Sequence, residues 1–150
     1  MYNPYVKIAI FLLLILLRKE MLNYGTWVEI ISYQLKIYLK FEYPIYYLCD
    51  WDLMGLQIYE RIYHQIEMIK DKASSLQLIN PNGKSERIKD TEDYHRSKWD
   101  KTTELSSLTA NLYSSKQLTI IQNLIKSDEW IEEEGNDIGE IINGIKSGII

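Results

Sequence analysis

The sequence predicts an α/β protein with a partly parallel sheet flanked by helices and a helix-rich final third. Short apolar runs rich in β-branched and aromatic residues, which favour strands, alternate with segments whose apolar residues recur at steps of three and four, which favours helices. Glycine or proline stands at several of the boundaries between these segments, where either residue interrupts regular structure. The resulting order of strand, helix, strand, helix and strand is typical of α/β folds.

The composition predicts one globular domain over residues 1–150. The chain is long enough for a single core, and its 46% hydrophobic and 25% charged residues are ordinary for a soluble protein. A formal net charge of −4 excludes a global basic field for nucleic acid, although a local patch could still bind it. The only cysteine, Cys49, excludes an internal disulfide framework, favours a cytoplasmic location and is expected in the core.

The amino-terminal segment contains an unbroken apolar run over residues 8–17. A membrane-spanning helix needs about 20 apolar residues, and Lys7 and Arg18 bracket this run closely. A signal peptide would need a small-residue cleavage site, which the sequence after the run does not provide. We therefore predict a buried strand or core helix and no membrane contact, with an uncleaved membrane anchor as the alternative.

The next segments set up a strand between two helices. A helix is predicted over residues 26–41, with Thr26 as its N-cap and Glu29 as the capping-box partner. Pro44 ends that helix and opens an apolar strand over residues 44–49. A second amphipathic helix is expected after Gly55, to about residue 71.

The rest of the chain is predicted from shorter patterns. These are a strand over residues 76–79, an Asn-Pro-Asn-Gly turn over 80–83, an exposed polar segment over 84–100, two short helices near 105–112 and 118–125, and a glycine-containing tail.

Two aspartates, Asp50 and Asp52, follow the strand predicted over residues 44–49. Side chains two apart on a strand point to the same face, and ligands of α/β sheets bind at the carboxyl ends of strands. Paired carboxylates there suit Mg²⁺ or Mn²⁺, while Gly55 would permit a tight turn into a helix whose amino end favours a phosphate. The motif alone is also compatible with a solvated strand end, so both interpretations stay open.

The segment around these aspartates has a recognisable pattern. Residues 46–59, which read YYLCDWDLMGLQIY, resemble the metal-binding strand and following helix of Toprim domains. They look most like those of the topoisomerase VI A subunit and of JetD, the nuclease subunit of Wadjet anti-plasmid systems. The similarity covers about residues 20–138, with a Toprim-like region over 26–138 and a poorly matching segment over 1–25. Features that favour the JetD type are His95, Trp99, the helix predicted over 105–112, Tyr113 and the acidic run over 130–134.

The resemblance implies Mg²⁺- or Mn²⁺-dependent cleavage of DNA phosphodiesters, with Asp50 and Asp52 as metal ligands. It also implies that the protein acts within a larger defence complex. The candidate partners are therefore DNA, other subunits and a second copy of the chain. The family needs a catalytic glutamate on the first Toprim strand, and the sequence upstream has room for only one crossover. Glu20 lies one crossover too late, and Glu29 and Glu42 look like capping or solvent-facing residues. We therefore expect a domain truncated at its amino end, without an assigned catalytic residue.

Three other functions stay open at this point. The chain could be a catalytically inactive Toprim fragment that acts as an interaction module. It could instead be a fragment of a DNA-cleaving subunit like topoisomerase VI A, or a membrane-tethered protein that uses residues 8–17.

The remaining candidate residues have ordinary interpretations that we favour over functional ones. A surface histidine is preferred to a ligand for His64, and a solvated loop is preferred to a phosphate contact for His95 and its basic neighbours. An exposed acidic run is preferred to a second metal site at residues 132–134. The tyrosines are expected to be core residues rather than nucleophiles. The residues concerned are Arg87, Lys89, Arg96, Lys98, Glu132, Glu133, Glu134, Tyr46, Tyr47, Tyr59 and Tyr63.

Overall fold

The computed structural model describes residues 45–69, 76–89 and 97–148. This part of the chain is mixed α/β, with one parallel and one antiparallel two-stranded sheet, which confirms the predicted class at that level. The strands are β1 (Ile45–Tyr47), β2 (Leu76–Leu78), β3 (Ser85–Arg87) and β4 (Glu129–Ile131). The helices are α1 (Leu53–Ile69), α2 (Ser115–Ser127) and α3 (Ile138–Lys146), with short 3₁₀ helices at Ala110–Leu112 and Glu133–Gly135.

The described residues belong to two compact units. The first contains residues 45–47, 62–69 and 76–77, and the second contains residues 48–61, 78–89 and 97–148. The predictions for residues 8–17 and 26–41 and for Glu20, Glu29, Glu42 and His95 lie outside the described ranges.

The first unit includes the parallel pairing of β1 with β2. In β2 the buried Leu76 is followed by the exposed Gln77, as expected for a strand with one covered face. In the second half of α1, Ile62 and Ile66 are buried, so the apolar stripe predicted for this helix does cover a core face.

The second unit is built around β4. β3 pairs antiparallel with it, with Ser85 opposite Ile131 and Arg87 opposite Glu129. Ile131 also forms an antiparallel bridge with Trp51, whose backbone N–H donates to the Ile131 carbonyl at 2.8 Å. The bridge joins the segment that contains both aspartates to the residue directly before Glu132.

Near the aspartates, the strand ends earlier and the following helix begins earlier than the sequence predicts. β1 ends at Tyr47 instead of residue 49, so Asp50 lies three residues beyond the strand rather than directly at its end. The reason is the bridge between Trp51 and Ile131, which pairs this segment with β4, in a different sheet. α1 begins at Leu53, so Gly55 lies inside its first turn instead of before it.

The sequence predicts that the whole segment over residues 84–100 is exposed, and this prediction is wrong for part of it. It contains β3, whose three side chains are all exposed, so no alternation of apolar residues marks the strand in the sequence. It also contains Trp99, which is buried and donates its indole N–H to the Glu129 carbonyl at 2.7 Å.

The final third contains one confirmed helix and two corrections. α2 carries a capping box between Ser114 and Gln117 and matches the helix predicted near 118–125. The helix predicted over 105–112 is reduced to the 3₁₀ helix Ala110–Leu112, because Ser106 and Ser107 adopt left-handed backbone angles, with φ of 51° and 64°, that an α-helix does not accommodate. The predicted tail is also wrong, since α3 forms there with Asp137 as its N-cap.

Several residues that the sequence assigned to a core are buried within their own unit. Cys49, Tyr47 and Tyr59 are buried, whereas Tyr46 and Tyr63 are half-buried. The Tyr59 ring lies 5.7 Å from that of Tyr113. Within the part of the chain that the structure describes, no helix is long and apolar enough to cross a membrane.

Candidate functional site

Asp50 is half-buried and faces the start of the acidic run. Its Oδ1 atom accepts a hydrogen bond from the backbone N–H of Glu133 at 2.8 Å. Glu133 opens the short 3₁₀ helix Glu133–Gly135 directly after β4. The bridge between Trp51 and Ile131 therefore places the first predicted metal ligand beside a second acidic residue.

Asp52 has a clear structural role at the start of α1. The residue is only 4% exposed, and its Oδ1 atom accepts the backbone N–H of Gly55 at 2.6 Å. This is the N-cap arrangement, in which a side-chain oxygen satisfies a donor that has no partner within the helix. The Met54 N–H of the same turn donates to Ser97 Oγ at 2.9 Å.

Gly55 is needed for a close approach and not for a turn into the helix, which corrects the sequence prediction. A Cβ atom at this position would overlap the backbone carbonyl oxygen of Asp50 and would lie 3.1 Å from Asp52 Oδ1. The missing side chain therefore lets the first turn of α1 pack directly against the Asp50 backbone.

The acidic side chains influence one another electrostatically. Burial, and then the negative charges of Asp50 and Glu134, together raise the pKa of Glu133 from 4.5 to about 7. Burial also raises the pKa of the Cys49 thiol, with added contributions from Asp50, Asp52 and Glu133. The negative charges of all three carboxylates therefore act on the same thiol.

The donor set at this site suits a hard cation bound largely by water and substrate. Among the described residues no group of three or more histidine, cysteine, aspartate or glutamate side chains is arranged to hold a metal ion. Mg²⁺, however, commonly uses one or two protein carboxylates together with waters and phosphate oxygens. A carboxylate has about four lone-pair sites, of which Asp50 Oδ1 uses one for the Glu133 N–H and Asp52 Oδ1 uses one for the Gly55 N–H.

The other candidate residues lie in different surroundings. His64 is exposed, and its Nδ1 atom lies 3.4 Å from Glu67 Oε2, as expected for a surface histidine. Glu132 and Glu134 are exposed, as predicted for this run, whereas Glu133 is half-buried. The side chains of Arg87, Lys89 and Lys98 are exposed, and Arg96 lies outside the described ranges.

Sequence reasoning missed two features of this site. It treated Glu133 as exposed, although the apolar Trp130 and Ile131 before it were the available sign of a buried neighbourhood. It also missed Asn136, a buried amide three residues further on, for which the sequence carries no distinguishing signal.

No protein-family model, curated protein or solved structure matches this chain.

Proposed function

We propose that Asp50 and Asp52 are the two carboxylate ligands of a divalent cation, and that the acidic cluster that they form with Glu133 serves Mg²⁺-dependent cleavage of DNA phosphodiesters. The resemblance of residues 46–59 to JetD-type Toprim domains supports this function. The single observation that carries it is the hydrogen bond of 2.8 Å from the Glu133 N–H to Asp50 Oδ1, which brings the acidic run to the aspartate pair. A divalent cation bound by Asp50 and Asp52 would offset the repulsion within this cluster.

Each part of the cluster has a chemical task in this proposal. Mg²⁺, when bound, would neutralise phosphate charge and activate water or stabilise the leaving oxygen. Asp50 and Asp52 would hold the ion through their carboxylate oxygens, and the amino end of α1 would favour a phosphate through its dipole. Glu133, which is half-buried and whose N–H contacts Asp50, would be placed to accept or release a proton at its carboxylate.

The proposed context is a larger assembly. The formal net charge of −4 provides no general attraction to DNA. Other subunits, or a second copy of the chain, would therefore supply most of the grip on the duplex, while the bound cation makes the local contact with a phosphate.

A Mn²⁺ titration followed by electron paramagnetic resonance tests the site. We expect saturable binding by the wild type and at least tenfold weaker binding by Asp50→Asn and Asp52→Asn. Asparagine is as good an N-cap as aspartate, so Asp52→Asn removes the charge and keeps the cap. Binding that survives both substitutions would overturn the assignment.

Asp128→Asn is the matched control for this titration. Asp128 has a φ of 58°, which asparagine also tolerates. Its exposed pairing with Lys101 is of a kind worth only about 0–1 kcal/mol. The same chemical change at this position, which is not one of the proposed ligands, should leave Mn²⁺ affinity unchanged. In the corresponding activity assay, Asp52→Asn should abolish Mg²⁺-dependent nicking of supercoiled plasmid, and persistent nicking would count against the site.

A non-catalytic interaction module is the second candidate function. The observation that favours it is that both aspartates already have structural partners, Asp50 in the Glu133 N–H and Asp52 in the Gly55 N–H. A folded wild-type protein without saturable Mn²⁺ binding would support this function over the first.

A further inference from the structure

Asn136 is a buried amide whose hydrogen-bonding capacity is fully used. Its Oδ1 atom accepts the backbone N–H groups of Asn82 at 2.8 Å and Gly83 at 2.9 Å. Its Nδ2 atom donates to the carbonyl oxygens of Glu132 at 3.0 Å and Glu133 at 2.9 Å. A side-chain amide offers two acceptor sites and two donors, so all four are occupied in a residue only 8% exposed.

Asn82 completes the connection from the opposite side. Its Oδ1 atom accepts the Asp137 N–H at 2.9 Å, and its Nδ2 atom donates to the Asp137 carbonyl at 3.2 Å and to Glu140 Oε2 at 3.0 Å. We call this pair, Asn82 and Asn136, the amide clasp. A Cβ atom on Gly83 would lie 2.8 Å from the Gly135 carbonyl oxygen, so the two backbones are in direct contact within the clasp.

The clasp reaches the acidic site through one peptide unit. The peptide between Glu132 and Glu133 presents its C=O to Asn136 Nδ2 and its N–H to Asp50 Oδ1. A trans peptide is planar, and its C=O and N–H point in opposite directions. The Glu132 C=O also accepts the Gly135 backbone N–H at 3.1 Å. Asn136 therefore acts together with this 3₁₀ turn in fixing the direction of the N–H that contacts Asp50, although it does not touch Asp50 itself.

We propose that Asn136, supported by Asn82, is a positioning residue that orients the peptide between Glu132 and Glu133 toward the Asp50 carboxylate. By holding one oxygen of Asp50, this peptide sets the direction in which the carboxylate meets a cation. The positioning of the peptide depends only on the hydrogen bonds above, whereas its effect on cation binding rests on the proposed function.

The backbone amide signal of Glu133 in ¹H–¹⁵N spectra tests whether Asn136 positions this peptide. Hydrogen bonds to a carboxylate are short and strong, so the wild-type amide proton should resonate downfield and exchange slowly. In Asn136→Ala and Asn136→Asp we expect an upfield shift and at least tenfold faster exchange. Asn136→Asp keeps the acceptor for Asn82 and Gly83 but replaces the donors to Glu132 and Glu133 with a carboxylate oxygen.

Two further variants make the spectrum interpretable. Asp50→Asn shows how the Glu133 amide responds when its charged acceptor is lost. Ser106→Ala is the stability control, because it removes the hydrogen bond from Oγ of the buried Ser106 to the Asp100 carbonyl. A purely stabilising role for Asn136 would lower the free energy of unfolding, as Ser106→Ala does, without moving the Glu133 amide.

The outcomes separate the inference from the proposed function. An unchanged Glu133 amide in the folded Asn136 variants overturns the positioning role. If the Glu133 amide shifts in the Asn136 variants while their Mn²⁺ affinity is unchanged, only the effect of the peptide on cation binding is overturned. If the wild type binds no Mn²⁺, the proposed function fails while the amide shift still decides the positioning role. If Asn136→Ala does not fold, Asn82→Ala removes only the supporting amide and should give a smaller shift in the same direction.

Discussion

Glu133 illustrates how a residue in an acidic run acquires unusual ionisation. In the unfolded chain its carboxyl group ionises near its ordinary pKa of 4.5, whereas burial and the charge of Asp50 raise this value to about 7 in the folded protein. Between these values the folded state binds more protons than the unfolded state. The free energy of unfolding therefore falls as pH rises through this window.

The substitution Glu133→Gln should remove this pH dependence. We expect the free energy of unfolding of the variant, relative to wild type, to rise between pH 4.5 and pH 7 and to stay higher above pH 7. Urea unfolding of both proteins in metal-free buffer, below and above this window, measures the difference.

Glu134→Gln makes the same change in charge at an exposed neighbour. Its effect should have the same sign and be smaller, because the charge of Glu134 is the last of the causes that raise the pKa of Glu133. An equal or larger effect from Glu134→Gln would mean that burial of Glu133 is not the main cause.

The start of α1 combines a cap with a close backbone approach. Asp52 caps the helix through the Gly55 N–H, and the missing side chain of Gly55 lets this turn rest against the Asp50 carbonyl. Aspartate is a preferred N-cap residue, so the sequence carried a signal for the cap. The close approach has no sequence signal, because it depends on where the backbone of Asp50 passes.

Gly55→Ala should therefore destabilise the protein. In an ordinary helix the same change stabilises by about 1 kcal/mol, but here the added Cβ atom overlaps the carbonyl oxygen of Asp50. We expect a loss of about 1–3 kcal/mol or more, measured by denaturant unfolding.

Gly135→Ala provides the comparison for this change. A Cβ atom there would meet nothing within 4 Å, and the residue has no positive φ. The free energy of unfolding should stay the same or rise by up to about 1 kcal/mol, because alanine restricts the unfolded chain. Equal losses in both variants would show that the Asp50 backbone is not the obstacle.

At the scale of the whole molecule, the single thiol of Cys49 is a natural probe of unfolding. The side chain is 5% exposed, and burial together with the neighbouring carboxylates raises its pKa well above the ordinary value. The thiolate is the reactive form, so both access and ionisation oppose reaction in the folded state.

Labelling by an aromatic disulfide reagent should consequently be at least about 100-fold slower in native buffer than in denaturant, since about 3 kcal/mol of opening free energy gives that factor. The labelling rate across a denaturant series should follow the unfolding transition seen by tryptophan fluorescence. Equally fast labelling in native buffer would show that Cys49 is accessible in the folded protein.

Local patterns in the sequence predicted the α/β class, β2, the body of α1, the helix that became α2 and the burial of Cys49. Each of these depends on apolar periodicity or on a cap within a few residues, which a single segment contains in full. The same reasoning missed β3 and α3. β3 has no buried side chain, and α3 was obscured by its glycines.

Only the tertiary structure decided how the candidate site is assembled. The hydrogen bond from the Glu133 N–H to Asp50 joins residues 83 positions apart, and the clasp from Gly83 to Asn136 spans 53 positions. Both follow from the pairing of Trp51 and β3 with β4, a register that depends on how the elements pack together. The sequence alone therefore determined which carboxylates were available, and packing determined which of them meet.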